Sequence, residues 1–318
     1  MIKRAKSANI PLNLWEALVL SVFHIPLTIS SSKEARRFMM QLQQQAELSS
    51  EKTPFTNEPL VSVNITTYNR ANFLGRCLDS VLSQSYKNIE VIIVDDASSD
   101  NTSEVAEQYR RKDSRVKYFR HERNQGNAYA RNTALKNCQG TFVAFMDDDD
   151  EWVDTDKLIK QVKIFSDNTD PKLGIVCSGV KVIDAKDNEE LKQAKMPPNL
   201  ISTLLKGNGV IHNSTVMTRR NIMTKVGGFD TKMPRGIDSE FFRTVVVKYG
   251  YKVHFMPDIT AAYHEHGEGR MTTNKKNAAA KTWKANTHVI RKHLGSFLLH
   301  PGALSYRILS RFKKIVAN

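Results

Sequence analysis

Cysteine is scarce in this chain. Cys77, Cys138 and Cys177 are the three it has, and no two stand in a Cys-x-x-Cys spacing. That excludes a cysteine zinc site and a disulfide framework, and it fits a reducing cytosol. Long apolar runs are missing too. The stretch 17–27 (ALVLSVFHIPL) is about eleven residues, interrupted by His24 and Pro26, which is too short to span a bilayer. It follows a basic start (Lys3, Arg4, Lys6) but has no small-residue cleavage site, so a core-packed or surface-lying helix is expected rather than a secretory signal. Glycine-rich loops are absent: Gly126 and Gly140 stand alone, so there is neither a P-loop nor a dinucleotide turn. If a nucleotide binds, a metal must handle its phosphates. Acids are absent from the C-terminal end, where Arg270 to Asn318 holds eleven Lys or Arg and no Asp or Glu.

The remainder is an ordinary globular composition, 40% hydrophobic and 25% charged over 318 residues, with an unusual net charge of +14. Residues 1–52 carry seven Lys/Arg against four Glu, so the excess sits mostly at the C-terminus. A basic tail on a near-neutral body implies an anionic partner. Residues 1–57 read as a helical appendage ending in the polar linker 41–50 (QLQQQAELSS), 58–270 as the main domain, and 271–318 as a basic amphipathic tail.

From Pro59 the pattern alternates. Strands are predicted at 60–66, 89–94, 116–120 and 141–146, and helices from Asn72, a candidate cap, and at 103–111 and 127–137. Strands at 174–182 and 214–217 follow in a less regular second half. Apolar strands alternating with helices specify an α/β fold with a mostly parallel sheet. Ligands bind such sheets beyond the carboxyl ends of the strands. Three polar clusters fall there: Thr66-Thr67-Tyr68-Asn69, Asp95-Asp96, and the acidic run Asp147-Asp148-Asp149-Asp150-Glu151-Trp152. Stacked acids at the end of a buried strand repel one another unless a cation is present. Mg²⁺ or Mn²⁺, which take oxygen ligands and share them with substrate phosphates, meets that need.

In order and spacing, VSVNITTYNR, IEVIIVDDASSDNT, NQGNAYARNTAL, FVAFMDDDDEW and PRGIDSEFF resemble the motifs of family 2 glycosyltransferases. These are nucleotide-diphospho-sugar transferases of the GT-A fold, a Rossmann-like sheet flanked by helices. The resemblance covers about Pro59 to Arg270. It implies that Thr66 and Tyr68 line the nucleobase pocket, with Tyr68 stacking on uracil. Asp96 would accept from the base imide, an Asx turn with Ser98 being its structural alternative. Arg131 lies near the nucleotide, or else in a helix-face salt bridge. Asp147 and Asp149 form the DxD signature, Asp147 toward ribose and metal and Asp149 as direct metal ligand. Asp148 and Asp150 stay open as substitutes because a run of four leaves the register ambiguous. Asp238 matches the base position, with Glu240 as alternative or orienting group; a helix cap is the competing role for Asp238. His266, in the segment after Tyr263, is a candidate metal or phosphate ligand, and Arg270 a phosphate partner. Trp152 would pack near the sugar or serve as a core anchor. Asn64 departs from the family, which has an aliphatic residue there.

The implied activity is an inverting, Mn²⁺- or Mg²⁺-dependent transfer of a hexose from a UDP-sugar to a glycan or lipid-linked saccharide acceptor. The setting would be cell-envelope polysaccharide or lipopolysaccharide synthesis. The location would be cytoplasmic, peripheral on the inner face of the membrane, with Trp283, Ile290, Leu294, Phe297 and Leu298 forming the apolar side of an amphipathic helix continued by Phe312, Ile315 and Val316. The alternative, a non-catalytic module for nucleotide-sugars or glycans, needs a lost ligand or base, and none is lost. A nucleic-acid partner is not expected, because Thr66, Tyr68 and Asp96 would have no role there.

Overall fold

The structure is a computed structural model that describes residues 58–265 and 278–316, with side chains for 280–310 in the second stretch. The N-terminal apolar stretch and linker, His266, Arg270, and the side chains of Phe312, Ile315 and Val316 lie outside the described residues. Residues from Pro59 onward belong to one compact unit.

In chain order the elements are β1 (Val61–Thr67), α1 (Ala71–Leu82), β2 (Ile89–Asp95), α2 (Thr102–Lys112), β3 (Val116–Arg120), α3 (Asn127–Asn137), β4 (Phe142–Asp147) and β5 (Glu151–Trp152). Then follow α4 (Lys157–Asp167), β6 (Leu173–Ile183), β7 (Glu189–Lys192), α5 (Leu200–Lys206), β8 (Met217–Arg219), α6 (Arg220–Val226), α7 (Ile237–Arg243) and β9 (Lys252–His264). The chain closes with α8 (Ala278–Lys292), α9 (Leu294–Leu299) and α10 (Pro301–Val316). The described residues form one nine-stranded sheet in the order β3-β2-β1-β4-β8-β6-β9-β5, with β7 added onto β6. The first four strands of that order are mutually parallel, while β8 runs antiparallel to both β4 and β6.

Every residue of β1 and β2 is buried, because helices cover both faces. The period of two sorts their side chains. Val91 and Ile93 join the cluster that holds Leu74 and Leu78 of α1 and Phe165 of α4. Ile92 and Val94 join Ala130 and Ala134 of α3, Phe241 of α7 and Phe297 of α9 in the other. Asn64 lies in the middle of β1, fully buried, and its Nδ2 donates to the Arg131 carbonyl at 3.2 Å. The polar residue in a core strand thus pins α3 at Arg131.

Three expectations need correction. Asn72 does not cap α1. The first-turn amide of Ala71 donates to Asp100 Oδ2 at 3.1 Å and that of Arg70 to Thr102 Oγ1 at 3.0 Å, so the cap arrives from a loop about thirty residues on. Of the strand expected at 214–217 only Met217 is one: Asn213–Thr215 is a 3₁₀ turn that leads into β8. The single amphipathic helix expected near the C-terminus is three helices, broken at His293 and His300. Phe297 is fully buried while Leu298 beside it is 68% exposed, so the residues grouped on one apolar side divide between core and solvent.

Candidate active site

Register brings the polar clusters together. Thr66 of β1 lies opposite both Val94 of β2 and Asp147 of β4, and Thr67 lies opposite Asp95. All three clusters therefore occur at the carboxyl edge of one sheet.

The acidic run begins on the last residue of β4 and turns at once, the Asp150 amide donating to the Asp147 carbonyl at 3.1 Å. Burial alternates along it: Asp147 and Asp149 stay partly open, and Asp148 and Asp150 are buried. Asp150 accepts from the Ser214 hydroxyl, its Oδ1 remaining without a partner. Arg70 reaches over the run, bonding Asp149 and standing 3.8 Å from Asp148 Oδ1. Arg76 donates to the Asp149 carbonyl at 2.9 Å. Burial pushes the Asp147 carboxyl up to about 6 against the pull of Arg131, with repulsion from Asp238 and Asp149 adding to the rise. Burial also raises Asp148, to about 7, against the pull of Arg70, and drives Asp150 well up beside Asp147 and Asp149.

Among the described residues the acidic run and Asp238 offer carboxylate oxygens, and Asp150 Oδ1 and Asp238 Oδ1 accept no hydrogen bond. That fits a hard divalent cation completing its shell from water and phosphate, and disfavours a soft, sulfur-seeking one. Among the described residues no group of three or more His, Cys, Asp or Glu forms a self-sufficient metal cage.

Arg131 organises the other side. Its side chain is 1% exposed and lies over the Phe229 ring, 5.4 Å from the centroid. Nη2 donates to Asp147 Oδ1 at 2.5 Å, and Nε stands 3.4 Å from Asp238 Oδ1. The helix-face salt bridge expected as its alternative is thus a bridge across three elements, α3, β4 and α7. Asp238 does not cap α7: Gly236 occupies the N-cap, with no side-chain cap bond. Asp238 Oδ1 makes no hydrogen bond, and neither do Arg131 Nη1 and Nε. Asn213 donates from Nδ2 to Asp147 Oδ1 at 2.9 Å while its own buried Oδ1 is unmatched. Donors and acceptors without hydrogen bonds thus gather around Asp147, and buried polar atoms of this kind call for a hydrogen-bonding ligand.

On the β1–β2 side Tyr68 is 43% exposed, open to stacking. Thr66 Oγ1 donates to Asn127 Oδ1 at 2.9 Å. Asp96 is buried and accepts from the Gln125 and Gly126 amides at 2.9 and 2.6 Å, with His121 Nδ1 at 2.7 Å. The Asx turn with Ser98 belongs to Asp95, whose Oδ1 accepts from the Ser98 amide at 2.8 Å. That turn places Ala97 at φ 66, the left-handed region that a side chain resists. Ala97→Gly is expected to gain about 1 kcal/mol, because relief of a left-handed penalty of about 1–2 kcal/mol exceeds the roughly 0.4–1 kcal/mol of unfolded-chain entropy that glycine adds. Denaturant midpoints at constant slope would check it.

Two nominated residues do not reach the site in their expected roles. Glu240 is fully buried, held by Arg243, Thr244, Lys292 and His293, so it is neither a base nor a direct partner of Asp238. Trp152 is 4% exposed, donates to the Ser214 carbonyl at 2.7 Å and carries the buried Lys157 ammonium 4.1 Å from its ring centroid, which makes it a core anchor. Sequence reasoning missed Arg70, Asn213 and Ser214. Arg70 ends the VSVNITTYNR motif, so a signal was present; Ser214 sat in a segment read as strand, and Asn213 just before it.

The family model described as Glycosyl transferase family 2 matches residues 62–227. The Bacillus subtilis (strain 168) glycosyltransferase TuaG, assigned by its name to teichuronic acid biosynthesis, is 33% identical over 239 residues, covering 74% of this chain and 90% of its own. Among solved structures, the Pyrobaculum calidifontis mannosyltransferase PcManGT in complex with GDP-Man and Mn²⁺ superposes with TM-score 0.57 at 22% identity, over 86% of this chain and 78% of its own. S. aureus TarS 1–349 with UDP-GlcNAc gives TM-score 0.55 at 19% identity, over 72% of this chain and 66% of its own. These two likenesses concern the fold, and it is the GT-A fold expected from the sequence.

Proposed function

The chain belongs to glycosyl transferase family 2 and is a glycosyltransferase, and on that premise we propose that it transfers a hexose, with inversion, from a UDP-sugar to a saccharide acceptor carried on a lipid diphosphate in cell-envelope polysaccharide synthesis. The observation that supports this reading is the set of buried polar atoms without a hydrogen bond around Asp147, namely Arg131 Nη1, Asn213 Oδ1 and Asp238 Oδ1, the last keeping only its ion pair to Arg131 Nε. A sugar presents hydroxyls that donate and accept, which such a mixed set requires. TuaG's assignment to teichuronic acid supports a cell-envelope product. Tyr68, exposed at the end of β1, and Asp96, with a lone pair left beside the Gly126 amide, would take the uracil.

Asp147 and Asp149, the two acids at the solvent edge, would hold the divalent ion. Bound there, it would supply Lewis-acid neutralisation of the charge left on the departing diphosphate. Asp238 takes the proton of the acceptor hydroxyl as its oxygen attacks the anomeric carbon. The bond from that carbon to the phosphate oxygen breaks, and the electron pair leaves with UDP. Attack opposite the leaving group inverts the centre. Arg131 fixes Asp147 and Asp238 relative to each other, so donor and base are positioned by one guanidinium.

The test is nucleoside-diphosphate release, UDP from UDP-glucose, UDP-galactose, UDP-GlcNAc and UDP-GalNAc and GDP from GDP-mannose as the competing donor. Turnover with one UDP-sugar, abolished by chelation and restored by Mn²⁺, is the expected result. Turnover with GDP-mannose alone would overturn the uridine assignment.

A further inference from the structure

The outer face of the last two helices carries apolar side chains that the core does not use. On α9, Leu294 and Leu298 stand one turn apart at 50% and 68% exposed, and Leu299 is 81% exposed. On α10, Ala303 and Arg307 turn inward, whereas Tyr306, Ile308 and Leu309 are 47%, 38% and 60% exposed. A single exposed leucine is ordinary; six such residues fall within 294–309 on two helices packed against each other, Tyr306 also carrying the Lys206 ammonium 5.9 Å from its ring centroid, and that concentration calls for an occupant.

We propose that this face of α9 and α10 docks on the surface of an anionic bilayer, a partner that rests on the lipid-linked acceptor in the functional reading. Charge selects this occupant. The segment from Arg270 onward holds eleven cations and no acid, and Lys281, Lys284 and Arg291 of α8 are exposed. A second copy of the chain would set two such segments against each other, whereas anionic headgroups neutralise one. Among the described residues no helix is long and apolar enough to cross a membrane, so the contact is interfacial. Leucines enter the headgroup boundary, the tyrosine sits at its edge, and lysines extend to the phosphates.

The surface is tied to the chemistry. Lys292 and His293, at the junction of α8 and α9, hold Glu240 of α7 at 3.2 and 2.8 Å, and α7 carries Asp238. Docking therefore fixes the base relative to the plane from which a lipid-borne acceptor hydroxyl arrives.

Flotation of the full chain with phosphatidylglycerol–phosphatidylcholine vesicles, against vesicles of phosphatidylcholine alone, tests this. The wild type is expected to bind the anionic vesicles about tenfold or more tightly than the neutral ones, and to lose that preference in high salt. The triple substitution Leu298→Ser, Leu299→Ser and Leu309→Ser alters exposed positions only. It is expected to weaken anionic binding about tenfold or more while UDP release from the soluble donor is unchanged. Equal flotation of variant and wild type would overturn the proposal, as would a wild type that ignores anionic vesicles. So would a dimer in sedimentation that the triple variant abolishes, which would hand the face to a second copy. Vesicle binding is scored without donor, so a protein that binds but turns over no UDP-sugar sinks the functional reading and leaves the surface standing.

Discussion

Asp238→Asn is expected to reduce kcat by about 10²–10⁴-fold, the range a positioned general base contributes, with little change in the KM for the donor. The substitution keeps shape and removes basicity. Nothing in the fold depends on the carboxylate as a cap, since Gly236 holds the N-cap and no capping bond exists. Oδ1 has no hydrogen bond to lose, and its 3.4 Å approach to Arg131 Nε is an ion pair at a partly open position. Arg131 would still hold Asp147 at 2.5 Å, so the donor side of the site is retained. Asp149→Ala provides the contrast: it acts on the ligand pair and should raise the Mn²⁺ requirement first. Steady-state kinetics with saturating metal separate the two. An Asp238→Asn enzyme that keeps its kcat would remove Asp238 from proton transfer.

The parallel half of the fold was legible because its signals are local. Apolar runs from 89 to 94 and 141 to 146 are long enough to name strands, and the polar residues that end them name the functional edge. What was not legible lies in contacts distant in sequence. Asn72 looks like a cap, yet Asp100 and Thr102 supply the bonds, because loop partners outcompete a side chain already inside the first turn. Four identical letters leave the register of the acidic run open; the structure adds that Asp148 and Asp150 are buried while Asp147 and Asp149 stay partly open. Asn213 had no local signal, since its role comes from a bond to Asp147, sixty-six residues earlier. Glu240 and Asp238 look interchangeable at a spacing of two, but a helix sends residues two apart to different faces, one to the site and one to the core.

Glu240→Gln is expected to cost about 3–5 kcal/mol, the penalty for removing one partner from a buried ion cluster and leaving the others uncompensated. Arg243, at 3% side-chain exposure, would retain a buried charge with no carboxylate to meet it. The acid limb of the wild type carries the same information. Burial pushes the Glu240 carboxyl up, but the His293 hydrogen bond and the charges of Arg243, His293 and Lys292 outweigh it and hold the group at about 2, against an ordinary 4.5. A depressed carboxylate contributes stability that is fully present above the ordinary value and is lost as pH falls from about 4.5 to about 2, a span worth about 3 kcal/mol. Urea unfolding across that window should steepen for the wild type, and the Gln variant should lack this component of the slope. Since Lys292 and His293 reach Glu240 from the C-terminal helices, the variant should also expose α8 and α9 to proteolysis at neutral pH before the sheet unfolds. A variant with an unchanged midpoint and unchanged acid limb would mean that Glu240 does not hold α7, and with it Asp238, in place.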